Sequence, residues 1–178
     1  PDRPKLARRL AEGYVELEAA AFRDKTAAEV ARDQSKKSNP KASQQQAALV
    51  GTADKVLVAA RKNAIKYYTL LKDQYPKWCQ FPNQDAAKSQ GCTDEVLYYL
   101  AYEYEQAKDY DNARKVYFEL IDKWKQSKYI PNAYLAFGEL FSADALEASV
   151  GMGSLLDGQL RADEIRAFGP HVAISVDP

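Results

Sequence analysis

The stretch LYYLAYEYEQAKDYDNARKVYFEL, residues 97–120, constrains the fold of this chain more than any other segment. Apolar and aromatic side chains recur in it at three- and four-residue steps on both sides of the polar segment KDYDN. That spacing places them on one face of a helix, so the stretch predicts two amphipathic helices joined by a short turn. Such helices bury their apolar faces against one another, and we expect an all-α protein built of antiparallel helix pairs.

Helical spacing recurs along most of the chain. We predict helices over about residues 5–32, 46–74, 94–107, 110–126 and 132–149. The first is expected to bury an apolar stripe at Leu6, Leu10, Tyr14, Leu17 and Ala21. The second is expected to bury Val56, Val58, Ala59, Ala64, Tyr67, Tyr68 and Leu71, and to end at Tyr75, before a proline. Thr93 is the predicted N-cap of the third helix.

Two segments depart from this pattern. Residues 34–46, QSKKSNPKASQQQ, are polar and contain a proline, so we predict a flexible insertion near residues 33–46. Residues 150–178 hold four of the eight glycines and do not follow the helical pattern. We therefore expect a helical repeat domain over residues 1–149 and an atypical tail over residues 150–178. The tail is a cap, a linker, or a unit foreign to the repeats.

The chain has two cysteines, Cys79 and Cys92, and they flank a polar segment that reads as a loop. This placement predicts a disulfide and with it an oxidising compartment, whereas the alternative is two unrelated thiols. A bond that closes a loop of about 14 residues stabilises a fold by about 3 kcal/mol. Zinc is not expected, because two cysteines and one distant histidine, His171, do not make a ligand set.

Composition and motifs argue against several functions. Lys plus Arg and Asp plus Glu are 25 each, so the net charge is zero and nucleic acid is not an expected partner. No apolar run approaches the length of a membrane span. Phosphate-binding, dinucleotide-binding and zinc-protease motifs are absent from the sequence, so we expect neither catalysis nor a cofactor.

Acidic residues are common, but they stand beside lysines at helical spacing. Examples are Asp73 with Lys72, Glu103 with Lys108 and Asp122 with Lys123. Such pairs are typical of solvated helix faces. A carboxylate pair that only the fold brings together stays open at this stage.

The helix pair of residues 97–120 resembles a tetratricopeptide repeat, a helix–turn–helix unit of roughly 34 residues. The matching positions are Leu97, Leu100, Ala101 and Tyr104 on the first helix and Ala113, Tyr117 and Leu120 on the second. The small residues let the two helices approach closely, and the large ones fill the space around that contact. The family's closing proline is absent, and Lys125 stands in its place.

Other segments carry parts of the same pattern: Leu10, Ala11 and Tyr14; Ala64, Tyr68, Leu71 and Pro76; Tyr134, Phe137, Gly138 and Phe141. The first two sets resemble halves of one repeat separated by a long insertion, and the third resembles a first helix. The resemblance covers about residues 5–145. It implies antiparallel helix pairs stacked as a short superhelix.

Residues 94–141, with the junction SKYIPNAYLAFGE, resemble more narrowly the extended repeats of bacterial envelope proteins. These include the assembly lipoprotein of the outer-membrane β-barrel machinery, the periplasmic coordinator of cell-wall synthesis, and repeat proteins of gliding-motility complexes. The resemblance implies a periplasmic or outer-membrane-associated location, with other envelope proteins or peptides as partners.

In the resembled fold, the first helix of each pair lines a concave groove that binds partners. The positions carried over to this sequence are Arg8, Glu12, Glu95, Tyr98, Tyr102, Glu105, Asn132, Leu135 and Glu139. The alternative for Tyr98 and Tyr102 is packing against a neighbouring repeat. The expected function is a non-catalytic scaffold that binds partners in this groove. The alternative function is a structural subunit whose repeats stack on neighbouring subunits, with an enzyme as a remote third.

Overall fold

The computed structural model describes residues 2–84 and 89–149, and their side chains as far as residue 140. It contains α1 (Arg3–Ser35), α2 (Pro40–Gln74), α3 (Thr93–Gln106), α4 (Tyr110–Lys123) and α5 (Ile130–Ser149). Each helix packs on the next one along the chain. In the described ranges the only β-pairing is an isolated bridge between Phe81 and Gln90. The prediction of an all-α protein made of packed helix pairs is confirmed.

The first connection is much shorter than the sequence suggested. The prediction of an insertion near residues 33–46 is wrong in extent, because α1 continues to Ser35 and α2 begins at Pro40. The side chain of Asn39 accepts a hydrogen bond from the Ala42 N–H, and a proline in the first turn favours a helix start. The tail over residues 150–178 lies outside the described residues.

The starts of α3 and α4 depend on the residues just before them. Cys92, with φ −90° and ψ 178°, is the N-cap of α3, so the assignment of Thr93 to that position is wrong. The Thr93 hydroxyl instead donates to the Pro76 carbonyl at 2.8 Å and ties α3 to the end of α2. Before α4, Lys108 adopts a left-handed φ of 60°, and Asp109 accepts a hydrogen bond from the Asn112 N–H.

One core joins all five helices, and the pattern positions of α3 and α4 lie in it. Those buried there are Leu97, Leu100, Ala101, Ala113, Tyr117 and Leu120, while Tyr104 is half-buried against them. Helix α2 buries Ala64, Tyr68 and Leu71 at the same spacing that α4 uses. Both helices also end alike: the Tyr75 N–H donates to Leu71 and the Trp124 N–H to Leu120, each at 2.9 Å.

The predicted stripes on α1, α2 and α5 are partly wrong in register. Leu6 and Leu17 are 59% and 44% exposed, whereas Ala21 is buried as predicted and α1 also buries Ala7, Ala11 and Ala28. On α2, Val56, Val58 and Ala59 are exposed, and Leu57 and Ala60 are buried. On α5, Tyr134 is exposed, and Ala133 is buried. Alanine at a contact permits close helix approach, and the larger side chains then lie beside the contact.

The hairpin of α1 and α2 is much longer than the helices that follow. Its helices have 33 and 35 residues, whereas α3 and α4 have 14 each. On α2, no residue before Leu57 is buried. The distal half of the hairpin, residues 20–56, therefore exposes large apolar side chains, among them Phe22, Val30 and Leu49.

Replacing Ala101 by leucine tests the close contact within the core. Ala101 is fully buried, so added methylenes must push packed helices apart, and we expect a loss of about 1–3 kcal/mol in the free energy of unfolding. Ala107→Leu, at the exposed end of α3, is the matched control and should cost much less. Urea denaturation measures both, and equal losses would contradict the observed packing.

Candidate functional site

Three of the predicted groove residues meet in a buried ion cluster. The Arg8 Nε atom donates to Glu12 Oε1 at 2.7 Å, and its Nη2 atom donates to Glu95 Oε1. Glu95 also accepts the Gly91 N–H at 3.2 Å. Arg8 is 5% exposed, so it binds helix α3 to α1 rather than facing solvent.

Electrostatics keep both partners of the Arg8–Glu95 contact charged. Burial acts to lower the pKa of Arg8, but the hydrogen bonds and charges of Glu95 and Glu12 outweigh it and raise that pKa. Burial likewise acts to raise the pKa of Glu95, but Arg8 and the Gly91 N–H hold it below its ordinary value. The cluster is therefore an ion pair throughout the neutral pH range.

The cysteine loop closes over this cluster. The predicted disulfide between Cys79 and Cys92 is present. Gly91 has a φ of +68°, and a Cβ atom there would lie 2.8 Å from Gln80 Cβ and 3.2 Å from the Arg8 guanidinium. Only glycine combines that backbone conformation with so close an approach.

The two tyrosines of the predicted groove have different surroundings. Tyr98 stacks on Tyr129 with ring centroids 4.8 Å apart, and its ring also lies 5.6 Å from Tyr99 and 6.3 Å from Tyr117. It is half-buried, so packing against the next helix connection is the better description of Tyr98. Tyr102 is 43% exposed.

The remaining groove residues divide in the same way. Glu105 accepts a hydrogen bond from the Tyr117 hydroxyl at 3.1 Å and so supports the core. Asn132, Leu135 and Glu139 are exposed on α5, Leu135 to 65%. The solvent-facing part of the predicted groove is therefore Tyr102 on α3 and these three residues on α5, which we call the exposed groove residues.

A second buried cluster was missed in the sequence. Glu103, interpreted there as a solvated partner of Lys108, is 2% exposed, so that interpretation is wrong. Its carboxyl group lies near that of Glu18 of α1 at one cleft, and the Oε1 atom of Glu18 accepts from Arg61 Nε at 2.9 Å and from Nη2 at 2.5 Å. The spacing of Val96, Leu100 and Glu103 places the glutamate on the buried face of α3 and was the available signal.

Burial raises the pKa of Glu103 to about 8, with the hydrogen bond and charge of Glu18 adding to the rise and Arg61 opposing it. A cleft of about 390 Å³ borders the cluster and is also lined by Val15, Phe22, Arg23 and Tyr102.

Of the other predicted surface pairs, Lys72 does pair with Asp73 at 2.5 Å. Lys123 pairs with Glu119 at 2.9 Å, not with Asp122.

Another cleft, of about 620 Å³, lies between the cysteine loop and the turn after α4, and both tryptophans, Trp78 and Trp124, line it. Among the described residues, no group of three or more His, Cys, Asp or Glu side chains is placed to hold a metal ion. No helix in the described part of the chain has the length and apolar character needed to cross a membrane. Comparisons with known proteins identify no relative: no protein-family model, curated protein or solved structure matches the chain.

Replacing each of the two groove tyrosines by alanine tests which of them packs in the core and which lies on the surface. Tyr98→Ala removes a ring packed against three others, so we expect a loss of about 2–4 kcal/mol in the free energy of unfolding. Tyr102→Ala removes an exposed ring and should cost less than about 1 kcal/mol. Chemical denaturation measures both, and a Tyr98 variant as stable as wild type would contradict the packing described here.

Gly91→Ala tests the closure of the cysteine loop over Arg8. A side chain at this φ, and in contact with Gln80 and Arg8, is strained, and we expect a loss of about 1–3 kcal/mol in unfolding free energy. Gly13→Ala is the control: apart from the adjacent residues and the backbone of its own helix, no atom would lie within 4 Å of the new Cβ, and alanine should stabilise α1 by up to about 1 kcal/mol. Thermal and urea unfolding should show opposite signs for the two variants, and equal signs would argue against a strained site.

Proposed function

We propose that this protein is a non-catalytic, tetratricopeptide-like scaffold of a bacterial envelope complex that binds a partner protein or peptide on the face formed by α1, α3 and α5. The repeat part of the proposal is supported by α2 and α4, which bury alanine, tyrosine and leucine at one spacing and end at equivalent aromatic residues. The proposed location in an oxidising compartment is supported by the Cys79–Cys92 disulfide, because such bonds persist in compartments like the periplasm.

The observation that carries the binding proposal is the exposure of large side chains on successive first helices. Tyr102 on α3 and Leu135 on α5 are 43% and 65% exposed. Tyrosine is favoured in interfaces because it buries a large area with few rotatable bonds to order. The Arg8 and Tyr98 clusters hold α1, α3 and the connection to α5 together beneath this face.

Site-specific photo-crosslinking in cells tests where a partner binds. A photoreactive residue at Leu135 should crosslink to a defined envelope protein, whereas the same residue at Val58, which is exposed to a similar extent on α2, should not. Leu135→Ser should then weaken binding of that isolated partner about fivefold or more, since interface anchors contribute more than about 1 kcal/mol. Equal crosslinking at both positions, or unchanged affinity of Leu135→Ser, would count against this face.

A second candidate function, a structural subunit that stacks on neighbouring subunits, is favoured by the distal half of the hairpin. Phe22, Val30 and Leu49 are exposed there, and exposed apolar surface of this kind is common at subunit contacts. Light scattering of the purified chain and of its Phe22→Ser variant distinguishes the two candidates. Concentration-dependent assembly that the substitution abolishes would favour the subunit, and a monomer in both cases would favour the scaffold.

A further inference from the structure

We propose that Glu18, Glu103 and Arg61 form a pH-operated latch between the α1–α2 hairpin and α3. The latch is closed while the two carboxyl groups share one acid proton, and it opens when that proton is lost to solvent. The three residues come from three different helices, so their contact joins elements rather than stabilising one of them. The proposal does not depend on the envelope location or on the partner-binding face.

The hydrogen-bond inventory of the cluster requires the shared proton. The Oε2 atoms of Glu18 and Glu103 are both buried, and neither accepts a hydrogen bond from any N–H or O–H group of the described residues. The two buried carboxyl groups interact closely enough for Glu18 to raise the pKa of Glu103, and two carboxylates cannot satisfy each other's oxygens because each is only an acceptor. One proton, carried by Glu103 and donated to Glu18, satisfies the pair.

The positive charge in the cluster is sufficient for one carboxylate. Arg61 donates from Nε and Nη2 to Glu18 and from Nη1 to the Gln106 carbonyl at the end of α3. If Glu103 also ionises, a second buried negative charge stands in contact with the first, and it has no cation of its own.

Other charged groups near the cluster do not supply that cation. On α1, Lys25 is held 2.5 Å from Asp54 of α2, and Arg23, which lines the adjoining cleft, is exposed and does not lower the pKa of Glu103 as Arg61 does. Tyr68 on α2, and Tyr102 with Glu105 on α3, are the remaining titratable neighbours. The tyrosines and Glu105 add no positive charge, so an ionised Glu103 would leave one buried negative charge without a cation.

The latch has a fixed point nearby. Arg8 and Glu95 also join α1 to α3, and both stay charged across the neutral range because their pKa values are shifted away from it. Positions 8 and 18 on α1 are about 15 Å apart at 1.5 Å per residue. Ionising Glu103 therefore separates α1 and α3 at the Glu18 end only, where the cleft of about 390 Å³ already brings solvent near the pair.

The direction of the pH effect follows from Glu103. Its pKa is about 8 in the folded chain against an ordinary 4.5, so the folded state binds the proton more tightly than the unfolded state. The stabilisation is complete below pH 4.5 and is lost as the pH rises through about 8. The pKa of Glu95 is lowered in the folded chain, so the stabilisation that Glu95 contributes is lost as the pH falls. Measurements above about pH 6 avoid this opposite effect.

Urea unfolding of the full chain between pH 6 and pH 9 tests the proton linkage. In wild type the unfolding equilibrium constant should rise by up to about tenfold per pH unit until the pH passes about 8, and then level off. Glu103→Gln keeps a donor for Glu18 but has no acid proton, so its unfolding constant should not follow this rise. Equal slopes in the two proteins, or a flat wild type, would overturn the latch.

Hydrogen exchange separates a latch from a uniform loss of stability. In wild type above about pH 8, the opening free energy of the α3 amides should fall below the global unfolding free energy measured in urea at the same pH, while that of the most protected α4 amides should remain equal to it. Opening free energies equal to the global value in both helices would overturn local opening. Carbon-13 NMR titration of the Glu103 carboxyl group in wild type needs no variant: a midpoint near 8 supports the shared proton, and one below about 6 rejects it.

Discussion

Close contact between helices at buried alanines is the constraint on which the rest of the structure depends. The core contains alanines from every helix, namely Ala7, Ala11, Ala64, Ala101, Ala113 and Ala133. A small residue at a contact brings two helix axes together, and larger residues such as Leu97 and Tyr117 then fill the space beside it. Because α1 and α3 both pack on α2, this geometry also decides which charged side chains of α1 and α3 face each other.

The parts of the fold that could be predicted are those where alanine alternates with large residues. Around Ala101 and Ala113 most of the large residues lie on the buried face, with Tyr102 and Phe118 as exposed exceptions, so the spacing identified α3, α4 and their core correctly. On α1 the apolar residues occupy more than one face. Leu6 and Ala7 were both candidates for the buried position, and Ala7 is the one buried. Spacing cannot decide between such faces, because the choice depends on how closely α2 approaches.

The candidate site was harder to predict, because charge does not reveal burial. Arg8, Glu12 and Glu95 were assigned to the groove, and the structure brings them together, yet they pair with one another and Glu12 is the most exposed of the three. Glu103 was assigned to the surface from its neighbour Lys108, whereas it is buried near Glu18, on a helix distant in sequence. Contacts of this kind appear only when the helices are placed, so the predicted groove is reduced to the exposed groove residues.

The two polar contacts between α1 and α3 differ in charge balance, and this difference gives the fold one fixed and one changeable contact. Near Arg8 a cation lies between two carboxylates, one of them partly exposed, and the buried pair is neutral overall. Near Glu18 one cation serves two buried carboxyl groups, so neutrality there needs a proton. Alanine packing forces both sets of side chains together, and the second set is stable only in the protonation state that completes its hydrogen bonds. A core built from close helix contacts thus acquires a proton dependence at one end of α3, although its apolar residues have none.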